Sequence, residues 1–189
     1  MRIEIDEFIK ILCETMSEKE ATNDDKAILK VSFLVSALDG TISSEEYKAL
    51  EYFAGRFNSL DKSAYEQLVD STLRTAGFLL LCSQRMPREE FLKLFVKEAL
   101  AILPGDFMPK PSVMHRAAMV FWMSMAFSDD EYSAIERAAI VALGREFAAS
   151  LNPEGDVSKF ERRVSGILSV FDVDPRKSLA ELRDVIAGN

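Results

Sequence analysis

"RAAMVFWMSMAF", residues 116–127, and "AILKVSFLVSAL", residues 27–38, are apolar around almost the whole circumference of the helix that each predicts. A helix without a polar face is stable only where other elements cover it on all sides. The apolar run at 117–127 has eleven residues, whereas about 20 are needed to cross a bilayer. We therefore predict that both stretches form buried helices at the centre of a soluble domain.

The rest of the chain has the same helical pattern. Apolar residues recur at intervals of three and four, and the sustained alternation that indicates strands is absent. The predicted fold class is all-α, with a single helical domain of eight or nine helices over residues 1–189. The predicted helices cover roughly 3–17, 24–39, 44–58, 62–85, 88–103, 112–127, 129–149, 156–171 and 176–187.

Two related halves are predicted within this domain. "SALDGTISSEEYKALE" (36–51) aligns with "MAFSDDEYSAIE" (125–136) when four residues are deleted from the second turn. Each segment follows one of the two apolar stretches, as internal duplication would produce, so we expect two pseudo-repeated helical hairpins related by an approximate two-fold axis. The half-repeats are predicted at about 20–103 and 109–150, followed by an additional C-terminal helical extension at 151–189.

Both aligned turns contain a signal for the start of a helix. Ser43 followed by Glu46 fits a capping box, in which the serine oxygen accepts from the N–H three residues on and the glutamate accepts from the N–H of the serine. Ser128 and Glu131 repeat this pattern in the second half. Each serine cap is expected to contribute about 1 kcal/mol, which explains the repeated pattern without any ligand.

The capping box leaves Asp39 and Gly40 unexplained. The run "DGTISSEE", residues 39–46, resembles the second half of an EF-hand calcium loop, but the first half is missing because Val35 and Ala37 have no side-chain oxygen. Gly40 is predicted to be the left-handed residue that ends the preceding helix. Asp39 would then lie at a helix C-terminus, where free carbonyls could join it around a hard cation. A cation site and a solvated turn both remain open at this point.

The chain resembles the TerB-like family, named for tellurite resistance, through an acidic turn of the form A-x-D-G-x-[IV]-x-x-x-E. The turn stands here as Ala37, Asp39, Gly40, Ile42 and Glu46. Members of this family are all-helical domains with two pseudo-repeated hairpins. The resemblance implies a bacterial cytoplasmic protein, in solution or at the inner face of the membrane, that acts in a metal or stress response without established catalysis. It also implies that Asp39 and Glu46 are metal ligands. The second half departs from the pattern because "FSDDEY" has no Asp-Gly pair.

Charge and cysteine content narrow the classes of partner. A formal net charge of -8 disfavours nucleic acid and anionic lipid as partners, because both require a basic face. Cys13 and Cys82 form no CxxC motif, and the N-terminus lacks the apolar run of a signal peptide, which favours the cytoplasm. We expect a protein partner of unknown identity. The only cofactor that the turn suggests is a weakly bound divalent cation such as calcium.

The remaining candidates favour structural roles. His115 is the only histidine and has no Cys, Ser or second His at a telling spacing, so we expect a capping or interface residue rather than a catalytic base or metal ligand. Five methionines between positions 108 and 125 either fill the core or line an adaptable groove. Three functions follow, in order of preference. They are a non-enzymatic TerB-like domain with an acidic cation site, an interaction or scaffold module without metal, and a hydrolase that uses carboxylates.

Overall fold

The computed structural model describes residues 22–40, 42–55, 60–127 and 132–189, and all regular secondary structure in these ranges is helical. The helices are α1 (Asn23–Ser36), α2 (Ser44–Ala54), α3 (Lys62–Ser83), α4 (Arg88–Ile102), α5 (Ser112–Ala126), α6 (Ala134–Gly144), a 3-10 turn (Arg145–Phe147), α7 (Ala148–Leu151), α8 (Val157–Leu168) and α9 (Pro175–Ala187). The predicted all-α fold class is therefore confirmed. The predicted helix at 3–17 lies outside the described residues. In the ranges that the structure describes, no helix has the length and apolar character needed to span a membrane.

The two apolar stretches form α1 and α5, which pack against each other at the centre of the domain. Phe33 of α1 and Trp122 of α5 are both completely buried. The indole N–H of Trp122 donates a hydrogen bond to the carbonyl oxygen of Ile28 at 3.2 Å, which joins the two helices directly. The lack of a polar face on either stretch is thus explained by burial on all sides.

Each central helix is followed by a turn and an amphipathic helix that packs on it. Helix α2 contacts α1, and α6 contacts α5. The contacts between the two hairpins are reciprocal, because α1 also contacts α6 and α2 also contacts α5. Reciprocal contacts of this kind are those that two hairpins related by a two-fold axis would make.

The outer helices complete one continuous core. Helix α3 covers α1, α4 packs on α6, and α9 covers α5. The segment after residue 150 is part of this core, since Leu168, Phe171 and Leu182 are fully buried. Arg116 of α5 also holds the end of α9, because its Nε donates to the carbonyl oxygen of Ile186 at 2.7 Å.

The helix starts follow from local sequence. Asp61 accepts from the backbone N–H of Ala64 at 2.8 Å and caps α3. Asp174 caps α9, and Pro175 occupies the first turn of that helix, where a missing N–H costs little. Thr22 and Asp25 form a further capping box at the start of α1.

One predicted boundary beside the turns is wrong. Helix α6 begins at Ala134 rather than near 129, whereas α1 ends at Ser36, within a few residues of its predicted end. The error at α6 arose because two Ser-x-x-Glu patterns follow each other closely and either could start a helix. Tyr132 precedes α6 and packs its ring on that of Phe127 at 4.4 Å, so it belongs to the turn.

Candidate functional site

The first turn connects α1 to α2 and contains Asp39. Ala37 is the C-cap of α1, and the N–H of Gly40 donates to the carbonyl oxygen of Ala37 at 3.2 Å. Gly40 has a φ of 106°, a conformation that favours glycine. The expectation that Gly40 ends α1 is therefore wrong in position, because the helix stops earlier and the glycine serves the turn that follows. Asp39 is exposed in this turn.

The predicted capping box of the first turn is confirmed. The N–H of Ser43 donates to Oε2 of Glu46 at 2.8 Å, and the N–H of Glu46 donates to Oγ of Ser43 at 3.1 Å. Only 2 % of the Glu46 side chain is exposed. A buried carboxylate requires hydrogen bonds of this kind to offset its loss of hydration. Glu46 is thus held in place by the start of α2.

The second turn contains an equivalent box at a different pair of residues. The N–H of Ser133 donates to Oε2 of Glu136 at 2.9 Å, and the N–H of Glu136 donates to Oγ of Ser133 at 3.2 Å. Glu136 is also 2 % exposed. The predicted box of Ser128 and Glu131 lies outside the described residues. Its role as the start of α6 is wrong, because the N-cap of α6 is Ser133.

The two turns have the same length. Seven positions separate the last residue of α1, Ser36, from the N-cap of α2, and seven also separate Ala126 from the N-cap of α6. The four-residue deletion in the predicted alignment is therefore wrong. Without a gap, Glu136 corresponds to Glu46, and Asp129 corresponds in sequence to Asp39.

The electrostatics of Glu136 indicate that carboxylates from both hairpins lie near one another. The pKa of Glu136 is raised to about 8, chiefly by burial and to a smaller extent by the negative charges of Glu46 and Asp39, although the hydrogen bonds from Ser133 act in the opposite direction. Charges on one hairpin can raise the pKa of a group on the other only when they are close in space. The contacts of α1 with α6 and of α2 with α5 give the same proximity.

The two residues predicted as metal ligands differ in exposure. Asp39 is exposed, whereas Glu46 is buried and uses one oxygen in its capping box. Among the residues that the structure describes, no three His, Cys, Asp or Glu side chains form a group that could hold a metal ion. A cation at these turns would need backbone carbonyls and water in addition to carboxylate oxygens.

A small apolar cavity lies beside the first turn. Its volume is about 380 Å³. It is lined by Ala37, Gly40, Ile42, Tyr47, Leu73, Ala76, Gly77 and Leu80. Tyr47 and Leu73 are 40 % and 41 % exposed, and the neighbouring Phe78 and Leu81 on α3 are 51 % and 53 % exposed. The acidic turn therefore borders an exposed apolar surface.

The other candidate residues have structural roles. His115 is 2 % exposed, its Nε2 donates to the carbonyl oxygen of Phe107 at 2.9 Å, and its Nδ1 lies 2.8 Å from Oγ of Ser150. Its ring also stacks on Phe147 at 5.0 Å. Three of the five methionines, Met119, Met123 and Met125, are buried in the core, and Met108 is exposed. Cys82 is a half-buried free thiol, and Cys13 lies outside the described residues.

Glu136 is the residue that sequence reasoning missed. The sequence does contain the signal for this residue, since Ser133 and Glu136 have capping-box spacing and a gap-free alignment pairs them with Ser43 and Glu46.

No protein-family model, curated protein or solved structure matches the chain.

Proposed function

We propose that this chain is a non-enzymatic, TerB-like helical module whose paired acidic turns bind a divalent cation in a metal or stress response. The observation that carries the proposal is the placement of Glu46 and Glu136. Both are buried, and each lies in the first turn of a helix that follows a central helix. The negative charge of Glu46 raises the pKa of Glu136. Glu136 holds a proton at neutral pH because its pKa is about 8, and a divalent cation would displace this proton and reduce the repulsion among the carboxylates of Glu46, Glu136 and Asp39.

The proposed site is weak. Calcium takes six to eight oxygen ligands, and each glutamate already uses one oxygen to accept from its capping serine. Asp39, as the exposed carboxylate, is the ligand on which binding depends most. Turn carbonyls and water supply the remaining positions. We expect a dissociation constant of about 10⁻⁴ to 10⁻³ M or weaker, as in weak calcium modules.

Thermal unfolding in millimolar calcium, manganese and magnesium tests this proposal. An ion at about ten times its dissociation constant stabilises the folded state by about 1.4 kcal/mol, which raises the Tm of a chain of this size by roughly 3 to 6 °C. Asp39→Asn keeps the shape of the side chain and removes its charge, so it should abolish the rise for the ion that binds.

The matched control is Asp174→Asn. Asp174 is an exposed aspartate outside both turns, and asparagine preserves its capping of α9. This variant should retain the full ion-induced rise in Tm. Asp129→Asn is unsuitable as a neutral control because the equal turn lengths make Asp129 the counterpart of Asp39. A rise that is equal in the wild type and Asp39→Asn would contradict the cation site.

A protein-interaction module without metal is the second candidate. The exposed apolar side chains Leu73, Phe78 and Leu81 on α3 favour it, because apolar side chains grouped on a surface often mark an interface. If none of the three ions gives a rise in Tm that depends on Asp39, this function replaces the first. The proposed setting for both functions is the cytoplasm.

A further inference from the structure

A groove runs between α4 and α6, away from the residues of the proposed cation site. It consists of two adjoining cavities of about 550 and 590 Å³, which share Leu92, Ala142 and Arg145. The floor of this groove is apolar and half-buried. It is formed by Leu92, Val96 and Leu100 of α4 with Ala138, Val141 and Ala142 of α6. We call this surface the basic groove, for the charges that border it.

Six basic side chains and three acidic side chains border the groove, although the whole chain has a net charge of -8. The basic residues are Arg88, Lys93, Lys97, Arg137, Arg145 and Arg162, and the acidic residues are Glu89, Glu146 and Glu161. The excess of positive charge is therefore local. A local field of this kind attracts partners of opposite charge.

Two of the three acids are already neutralised. Glu161 is 1 % exposed and accepts from Arg137 at 2.9 Å. Glu89 lies 3.7 Å from Lys93 on the same face of α4. In contrast, Lys97, Arg145 and Arg162 are exposed and have no carboxylate within 4.0 Å among the residues that the structure describes. Within these ranges, no carboxylate of the chain competes with a partner for the three cations.

We propose that the basic groove binds an amphipathic helix of a partner protein that has an apolar stripe flanked by acidic residues. Leucine-sized side chains of that helix would pack on the apolar floor, and its carboxylates would pair with Lys97, Arg145 and Arg162. Arginine binds a carboxylate through two parallel hydrogen bonds, which gives the pairing a defined geometry. The residues of α4 that line the groove run from Arg88 to Leu100, so the groove offers a wall about 19 Å long, enough for three to four turns of a docked helix.

The apolar floor favours an amphipathic helix over a phosphate ligand. A phosphate would gain from the cations but would leave Val96, Leu100 and Val141 exposed to water. An acidic amphipathic helix uses both features of the groove, because it buries apolar area and neutralises charge at the same time. The partner inferred here is independent of any cation at the acidic turns.

The proposal is tested by measuring the binding of two fluorescent synthetic helices to the full chain. The helices have the same leucine stripe, but one is flanked by glutamates and the other by lysines. Fluorescence anisotropy should give saturable binding of the glutamate helix and none of the lysine helix at about 1 mM. Arg145→Glu combined with Arg162→Glu should weaken the glutamate helix about tenfold or more. Because both arginines are exposed, the variant is expected to fold, and its circular dichroism spectrum checks this.

The matched control is Arg74→Glu combined with Arg176→Glu, which makes the same change of charge at exposed positions outside the groove. It should leave the affinity for the glutamate helix within about twofold. Equal weakening by both double variants, or no saturable binding to the wild type, would overturn the proposal.

Two other occupants of the basic groove, the segment 1–21 of this chain and a second copy of the chain, would each give a different experimental result. If Phe8→Asp raises the affinity for the glutamate helix, the segment 1–21 of this chain fills the groove, and the inference of a partner protein is wrong. If the unliganded protein dimerises in analytical ultracentrifugation and Arg145→Glu with Arg162→Glu makes it monomeric, the occupant is a second copy. The partner inference requires that neither result is obtained.

Discussion

The first hairpin, α1 and α2, and the second, α5 and α6, share a buried helix, a turn of equal length and a buried capping-box glutamate, but they differ at the residue after that glutamate. In the first hairpin this residue is Tyr47, which is 40 % exposed beside an apolar cavity. In the second it is Arg137, which pairs with Glu161 of α8 at 2.9 Å and borders the basic groove. The hairpins therefore keep the same acids inside and present different surfaces outside.

The hairpins also differ where their central helices meet. A gap-free alignment pairs Ser32 of α1 with Trp122 of α5, and both side chains donate to the carbonyl oxygen of Ile28, at 2.8 Å and 3.2 Å. The small residue on one helix leaves room for the large residue on the other. The core is consequently asymmetric even though the turns are alike, so the two halves are not interchangeable in packing.

The largest effect is expected from Trp122→Ala. Trp122 is fully buried, and its removal leaves a cavity between the two central helices in addition to the loss of its apolar area. We expect the free energy of unfolding to fall by about 3 to 5 kcal/mol, measured by urea denaturation. Phe78→Ala at a half-exposed position should change it by less than about 1 kcal/mol. Similar losses in the two variants would mean that the interface between the helices is loosely packed.

An effect of similar size, but of opposite sign, is expected from Glu136→Gln at high pH. Because burial raises the pKa of Glu136 to about 8, the folded chain binds this proton more tightly than the unfolded chain does. The stabilisation is complete at pH values below about 4.5, decreases above that, and is lost by about pH 8. The glutamine side chain of the variant stays neutral at every pH, and its amide oxygen can still accept from the N–H of Ser133.

The variant should therefore match the wild type at pH 5 and exceed its stability by about 4 kcal/mol at pH 9. Denaturation curves of both proteins across this range measure the difference, in which contributions from acids that do not interact with Glu136 cancel. A difference that does not change with pH would mean that Glu136 titrates alike in the folded and unfolded states.

The smallest effects compare the two capping serines. Ser43→Ala and Ser133→Ala should each lower the free energy of unfolding by about 1 kcal/mol, because each removes the acceptor for one N–H at a helix start. Equal losses would support the equivalence of the two turns. If Ser128→Ala costs about 1 kcal/mol and Ser133→Ala costs nothing, the start of α6 has been placed wrongly.

The central helices and the first capping box could be predicted because each depends on a short run of sequence. Apolar residues on all sides imply burial, and Ser43 with Glu46 implies a helix start. The start of α6 was missed because Ser128 and Ser133 both have glutamate three residues on, and only the packing of Tyr132 on Phe127 separates them. The basic groove could not be predicted, since it depends on which faces of α4, α6 and α8 come together.

The most direct test of the account is the pKa of Glu136 measured by carboxyl carbon NMR in the wild type and in Glu46→Gln. The substituted glutamine preserves the capping of α2 and removes the charge that acts across the hairpins. We predict a pKa of about 8 in the wild type and a lower value in the variant, while Asp25→Asn, in the capping box of α1, leaves the pKa of Glu136 unchanged. An ordinary pKa near 4.5 in the wild type, or the same raised value in Glu46→Gln, would contradict the convergence of the two acidic turns.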